Sequence, residues 1–225
     1  MKELEINKIY NIDCLEGIKK IKSKSIKTII ADPPYFLGMT HNGQKGSFVD
    51  LAITKPFYKE LFTQFKRVLT ADGCVFMFCD FRSYALFYPI FDEVMNITNL
   101  IVWNKLSAPG NKYSYNHEFI LFHGNKEFNN GGSNVWSIKG FSSGAKTTNG
   151  EKKIIPQKPK EVIFKMLMDT TQENDIILDP FTGSGTTAIV CRENKRNFIG
   201  FELDLKNFDI CKNRIKEELK IIKLF

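Results

Sequence analysis

Asp175-Ile176-Ile177-Leu178-Asp179-Pro180-Phe181-Thr182-Gly183-Ser184-Gly185-Thr186-Thr187 joins a short apolar run, a break and the start of a helical pattern. The run has strand length, and Pro180 carries no N–H with which to continue a ladder. The spacing Gly183-x-Gly185-x-x-Ala188 lets the backbone turn tightly and approach a ligand before the helix begins. Asn197-Phe198-Ile199-Gly200-Phe201 reads as the next strand, and Glu202 at its end lies nineteen residues after Gly183. An acid at that remove accepts hydrogen bonds from ribose hydroxyls in nucleotide-binding folds. The glycines are not followed by Gly-Lys-Ser/Thr, which excludes an ATPase-type phosphate loop. On this stretch alone a nicotinamide-dependent oxidoreductase fits equally, and Glu202 is also readable as a solvated strand-end acid.

The same alternation of strand and helix extends on both sides. Lys8-Ile9-Tyr10-Asn11-Ile12 reads as a strand, and Asp13 caps a short helix with Glu16 three residues on. Lys27 to Ala31 is a buried strand. Residues 36–53 contain Gly38, Gly43 and Gly46 and read as a long surface loop. Thr54 is expected to cap a helix with Pro56 in its first turn, carrying Phe57, Leu61, Phe62, Phe65, Val68 and Leu69 at helical spacing. Asp72-Gly73 is expected to close that unit before the strand Cys74 to Phe78. A helix through Tyr84, Phe87, Phe91 and Val94 with a bend at Pro89, strands at 97–103, 118–123 and 135–138, and a helix opened by Pro159 follow. A last helix has Leu205, Phe208, Cys211, Ile215, Leu219 and Ile222 on one side. The pattern predicts an α/β fold: a doubly wound, mostly parallel sheet with helices on both faces. Ligands bind such sheets outside the carboxyl ends of the strands.

The chain has 225 residues, 43% of them hydrophobic, which suits one domain with a sizeable core. The charged start Met1-Lys2-Glu3-Leu4-Glu5 gives no expectation of a signal peptide, and no stretch nears the roughly 20 apolar residues of a membrane span. Five cysteines without metal-site spacing are expected to be reduced thiols in a cytoplasmic protein. The formal charge of +7 is compatible with a polyanionic partner. Residues 138–165 hold seven lysines and two glutamates, which concentrates +5 of that charge in one segment.

A second punctuated strand end, Asp32-Pro33-Pro34-Tyr35, follows Ala31. Two prolines fix the chain just past the strand, with a carboxylate before the break and an aromatic ring after it. By itself the tetrapeptide is readable as a rigid turn. Taken with Asp-Pro-Phe-Thr-Gly-Ser-Gly-Thr at 179–186, it closely resembles the beta class of DNA amino-methyltransferases, in which the catalytic tetrapeptide precedes the cofactor loop. That order is circularly permuted relative to other methyltransferases. The resemblance runs from Asn11-Ile12-Asp13-Cys14 through Gln157-Lys158-Pro159 to Gly200-Phe201-Glu202.

The resemblance implies a Rossmann-like methyltransferase sheet, S-adenosylmethionine as cofactor and double-stranded DNA as substrate. It implies that Phe181, Thr182, Gly183, Ser184, Gly185 and Thr186 wrap the methionine end of the cofactor and that Glu202 holds its ribose. Asp13 and Cys14 would border the adenine, Asp13 being also the helix cap. Asp32, Asp179 and Lys158 complete the cofactor set. The family usually writes the segment before the helix as His-Pro-Thr-Gln-Lys-Pro, whereas this chain has Ile154-Ile155-Pro156-Gln157-Lys158-Pro159. Contacts from the His and Thr positions are therefore not carried over.

An exocyclic amine is a poor nucleophile, so the protein must position it and accept hydrogen bonds from its two hydrogens as charge develops. Asp32 and the Pro33 carbonyl suit that task, Pro34 stiffens the backbone, and Tyr35 offers a face for an extruded base. Cytosine C5 methylation would require a Pro-Cys nucleophile, and no Pro-Cys occurs. Asp at 32 favours adenine N6; the related cytosine N4 enzymes more often carry Ser there. RNA and protein amides are other planar amines within reach of such a site. The chain reads as one methyltransferase domain, 1–225, with a short target-recognition insert at about 105–153. Asn104, Lys105, Lys112, Lys139, Lys146, Lys152 and Lys153 are its candidate DNA contacts. His41, His117 and His123 form no metal constellation. A homodimer and a cognate restriction endonuclease are compatible with the reading.

Overall fold

The computed structural model describes residues 4–34, 40–41, 44–45, 51–106, 113–124, 132–140 and 157–222. In chain order the strands of the main sheet are β1 (Lys8–Tyr10), β2 (Ile26–Ala31), β5 (Leu69–Cys79), β6 (Asn99–Asn104), β7 (His117–His123), β8 (Val135–Ser137), β9 (Ile176–Asp179) and β10 (Asn197–Phe201). The helices are α1 (Cys14–Ile18), α2 (Leu51–Val68), α3 (Phe81–Met95), α4 (Lys160–Thr170), α5 (Thr186–Glu193) and α6 (Leu205–Ile222). The sheet order is β1-β10-β9-β2-β5-β7-β6-β8. Every neighbouring pair is parallel except those of β7, which runs against both β5 and β6. The expected doubly wound, mostly parallel sheet is therefore present.

Burial on both faces explains the apolar runs. Every residue of β2 is buried, so no polar alternation remains in it. Along β5, Val75, Met77 and Cys79 pack with α1, α2 and α3, and Cys74, Phe76 and Phe78 with α4 and α5. Two cores thus lie on opposite faces of one sheet, each with helices over it. Among the described residues no helix is long and apolar enough to cross a membrane.

Three local expectations are corrected. Helix α2 begins at Leu51, so Thr54 is a buried residue inside it and Pro56 is its sixth residue. Packing of the Tyr58, Phe62 and Phe65 face overrides the one internal bond that Pro56 cannot donate. Asp72-Gly73 does not end the helical unit. Strand β5 starts directly at Leu69 and bulges: the four residues between Leu69 and Cys74 lie opposite the single residue Lys27 between Ile26 and Thr28 of β2. The Lys27 ammonium pairs with the Asp72 carboxylate and fastens the bulge. Finally, the 36–53 stretch contains a short antiparallel ladder, β3 (Thr40–His41) with β4 (Gln44–Lys45).

The two loops singled out by sequence come from adjacent strands. Thr28 pairs with Ile177 and Ile29 with Leu178. From there the chain diverges, β2 leading through α2 to β5 on one side and β9 through α5 to β10 on the other. This is the switch point at which an open α/β sheet has its crevice.

Candidate active site

Asp179 ends β9 and Asp32 follows β2, so their carboxylates reach the same rim. A pocket there is lined by Ile30, Asp32, Phe78, Lys158, Asp179, Phe181, Thr182, Gly183, Ser184, Thr186 and others. The two motifs, 147 residues apart when counted from Asp32 to Asp179, meet in it.

The glycine loop is shaped by its backbone. Gly183 and Gly185 have φ of +51° and +82°, a region that side chains disfavour. Among the described residues only the Phe181 carbonyl oxygen, at 3.8 Å, comes near the place a Cβ of Gly183 would take, so the crest is open to a ligand. Gly185 is closed for the opposite reason: a Cβ would stand 2.5 Å from Cys211 Sγ on α6. The Glu202 carboxylate accepts hydrogen bonds from Gly183 N at 2.9 Å through Oε2 and from Asp204 N at 2.9 Å through Oε1. It therefore fixes the loop it was expected to serve.

Asp179 is buried and receives a hydrogen bond from Phe181 N at 3.0 Å. Burial pushes its carboxyl up to about 7, against the hydrogen bonds from Thr187 and Phe181 and with help from Asp32 and Glu202. Asp32 is more open, its side chain 37% exposed. Its Oδ1 lies 3.0 Å from the Lys158 ammonium, which also donates to Glu118 Oε2 at 2.9 Å. Lys105 reaches the other Glu118 oxygen at 3.3 Å. Lys158 sits 4.7 Å from the centre of the Phe78 ring and is 16% exposed. Burial pulls such an ammonium down, but the two carboxylates outweigh it and hold Lys158 above its usual range. The result is an alternating chain of charge, Asp32–Lys158–Glu118–Lys105.

Of the other expected residues, Asp13 is the N-cap of α1, accepting from Leu15 N at 2.9 Å and Glu16 N at 3.3 Å. Cys14 is buried, and burial together with the Asp13 carboxylate pushes its thiol up to about 12. Both follow β1, two strands from β9 on the same rim, and neither lines the pocket. Pro33 is buried and Pro34 half-buried. Tyr35 lies outside the described residues, as do Lys112, Lys146, Lys152, Lys153 and most of the 36–53 and 105–153 segments. Lys139 is exposed, Asn104 accepts from Leu106 N at 3.1 Å, and Lys105 is engaged by Glu118. Much of the basic segment's charge is locally paired: Lys160 bridges Glu193 and Glu218, and Lys165 meets Asp169. No metal-binding cluster occurs among the described residues.

Two contributors escape sequence reading. Glu118 is the second residue of β7; a parallel strand brings its last residues to this rim, and reversal of β7 brings its first ones. Arg214 on α6 donates to Ser184 O at 3.0 Å, Ser184 Oγ at 3.1 Å and Thr186 Oγ1 at 3.1 Å, and is held by Glu218 at 3.0 Å. It clamps the glycine loop from thirty residues away in sequence. Its sole sequence signal is an arginine at a mid-helix position among lysines.

Comparison with known proteins sets this geometry in context. The DNA methylase family, which takes in N6 and N4 enzymes, matches residues 26–213. The Type II methyltransferase M.HinfI of Haemophilus influenzae is 29% identical over 94% of this chain and 69% of its own length. The Type II methyltransferase M2.MboI of Moraxella bovis is 28% identical over 96% and 89%. The crystal structure of an M1.HpyAVI–SAM complex matches with a TM-score of 0.68 and 27% identity, covering 92% of this chain and 98% of that one. The cytosine-N4-specific PvuII DNA methyltransferase superposes with a TM-score of 0.75 over 96% and 92%, at 14% identity, and shares the fold.

Proposed function

The chain belongs to the DNA methylase family, and on that premise we propose that it transfers a methyl group from S-adenosylmethionine to the N6 amine of adenine in duplex DNA. The observation that carries the reading is the meeting of Asp32 and the Gly183 loop in one crevice at the switch point. Asp at position 32, where N4 enzymes more often have Ser, supports adenine over cytosine.

The residues present fit the cofactor. The open crest at Gly183 leaves room for a ligand against backbone, and the Glu202 carboxylate is held beside it by its bond from Gly183 N. S-adenosylmethionine supplies a methyl group on a sulfonium, so transfer to the amine needs no covalent bond to the protein. We assign Phe181 to Thr186 and Asp179 to its methionine end, Glu202 to the ribose, and Asp13 and Cys14 to the border of the adenine. Lys158 is better assigned to Asp32, since its ammonium is already held between Asp32 and Glu118. Asp32 accepts one hydrogen of the target amine, and the Pro33 carbonyl accepts the other. Pro34 holds that carbonyl in place, and Tyr35 stacks on the base. A base inside a duplex is out of reach, so the target is extruded. After transfer Asp32 receives or relays the proton that the amine loses. We assign recognition of the flanking DNA to the segment at about 105–153, with the 36–53 loop over the extruded base. The Type II class of the relatives supports a role as the modification partner of a restriction endonuclease.

Incubation with labelled methyl donor and mixed-sequence duplex, followed by nucleoside analysis, tests the proposal. N6-methyladenine is expected; N4-methylcytosine would move the assignment to the other amine, and absence of transfer to any DNA would overturn it. Asp32→Ala should abolish transfer and leave cofactor binding nearly unchanged.

A further inference from the structure

Asp80 follows β5 and caps α3, its Oδ1 accepting from Ser83 N at 2.7 Å. Phe81 is consequently the first residue of α3 and projects at the carboxyl rim of the sheet, 49% exposed. Tyr115, two residues before the reversed strand β7, is 68% exposed. The two rings come from separate elements yet lie nearly parallel, 12° apart with centroids 5.8 Å apart. The Arg82 guanidinium stands 5.4 Å from the Phe81 ring centre and is anchored to Asp80 Oδ2 at 3.0 Å. Cys79 pairs with Phe119, one residue past Glu118, so the rings rise from the rim beside the Asp32–Lys158–Glu118 chain.

Two exposed aromatic rings held parallel beside a fixed cation match a flat, electron-rich partner better than an aliphatic one. Extruding a base strips its neighbours of one stacking surface. We propose that the Phe81–Tyr115 ledge, rimmed by Arg82, stacks a DNA base that flanks the extruded target. The inference rests on the methyltransferase reading and deepens it by naming a surface for the DNA that carries no lysine. Such stacking is tolerant of sequence because every base has a π-face. The open face of Tyr115 extends the stack, and Arg82 stabilises it at the edge.

The test measures binding of Tyr115→Ala and Phe81→Ala to a labelled duplex that the wild-type protein methylates, across a range of salt concentrations. Each variant should bind ~10-fold more weakly, with S-adenosylmethionine affinity and melting temperature close to wild type. The slope of affinity against salt should be unchanged, because no phosphate contact is lost. Tyr115→Trp should bind as wild type does. DNA affinity within twofold of wild type for both alanine variants would overturn the ledge, as would a reduced salt slope. Loss of self-association with DNA affinity retained would assign the ledge to a second copy of the chain instead. If the wild-type protein neither binds nor methylates DNA, the methyltransferase reading falls and the ledge with it.

Discussion

Asp179→Asn should flatten the pH dependence of stability. The wild-type carboxyl is raised from an ordinary 3.8 to about 7, first because burial disfavours its charge. Between those values the folded protein binds more protons at this group than the unfolded chain does. The stabilisation is fully present below about pH 4, declines as pH rises, and is gone above about pH 7. The whole window of roughly three units corresponds to on the order of 4 kcal/mol, and the part between pH 5 and pH 8 to about 3 kcal/mol. At a urea dependence of ~3 kcal/mol per molar, that is about 1 M in the unfolding midpoint. Asn keeps an oxygen for the Phe181 N–H and carries no charge, so the variant should lose the slope without losing the turn. Urea unfolding of both proteins at pH 5, 6, 7 and 8 isolates the group, because all other titrating residues are common to the pair. The wild-type-minus-variant difference should fall by about 3 kcal/mol over that range. A difference that stays flat from pH 5 to pH 8 would refute the assignment of a buried, protonated Asp179.

Gly185→Ala should destabilise the protein by ~2–4 kcal/mol, combining left-handed backbone strain with a Cβ driven onto α6; a thermal melt matching wild type would contradict the observed packing. The same variant should weaken S-adenosylmethionine binding in calorimetry, since the loop and α6 must part to admit the methyl group. Lys158→Met should destabilise by ~1–3 kcal/mol, because it leaves the Asp32 and Glu118 carboxylates facing each other, with solvent at Asp32 moderating the effect. Adding Glu118→Gln should recover part of that loss, and strict additivity in the double-mutant cycle would sink the linked-charge reading.

The glycine loop and the tetrapeptide were legible because both rest on local backbone chemistry. Gly183 and Gly185 occupy left-handed positions, and the prolines end a strand wherever the chain goes afterwards. Period and burial were legible for the same reason, and nearly every strand and helix lies where the apolar pattern set it. Misreadings fell where tertiary packing overruled a local signal: Pro56 was drawn into the body of α2, and Asp72-Gly73 became a bulge in β5 tied down by Lys27.

What the sequence by itself determined is the α/β class, the two rim loops and the chemistry those residue types can perform. The tertiary structure decided which strands are neighbours, and thereby that Asp32 and the Gly183 loop share a crevice. It alone reversed β7, bringing Glu118 to Lys158 and Tyr115 to Phe81, and it alone laid Arg214 of α6 across Ser184 and Thr186. Strand direction and helix docking are set by the closure of two cores on opposite faces of the sheet. That is a property of the whole chain, which no short window of sequence encodes.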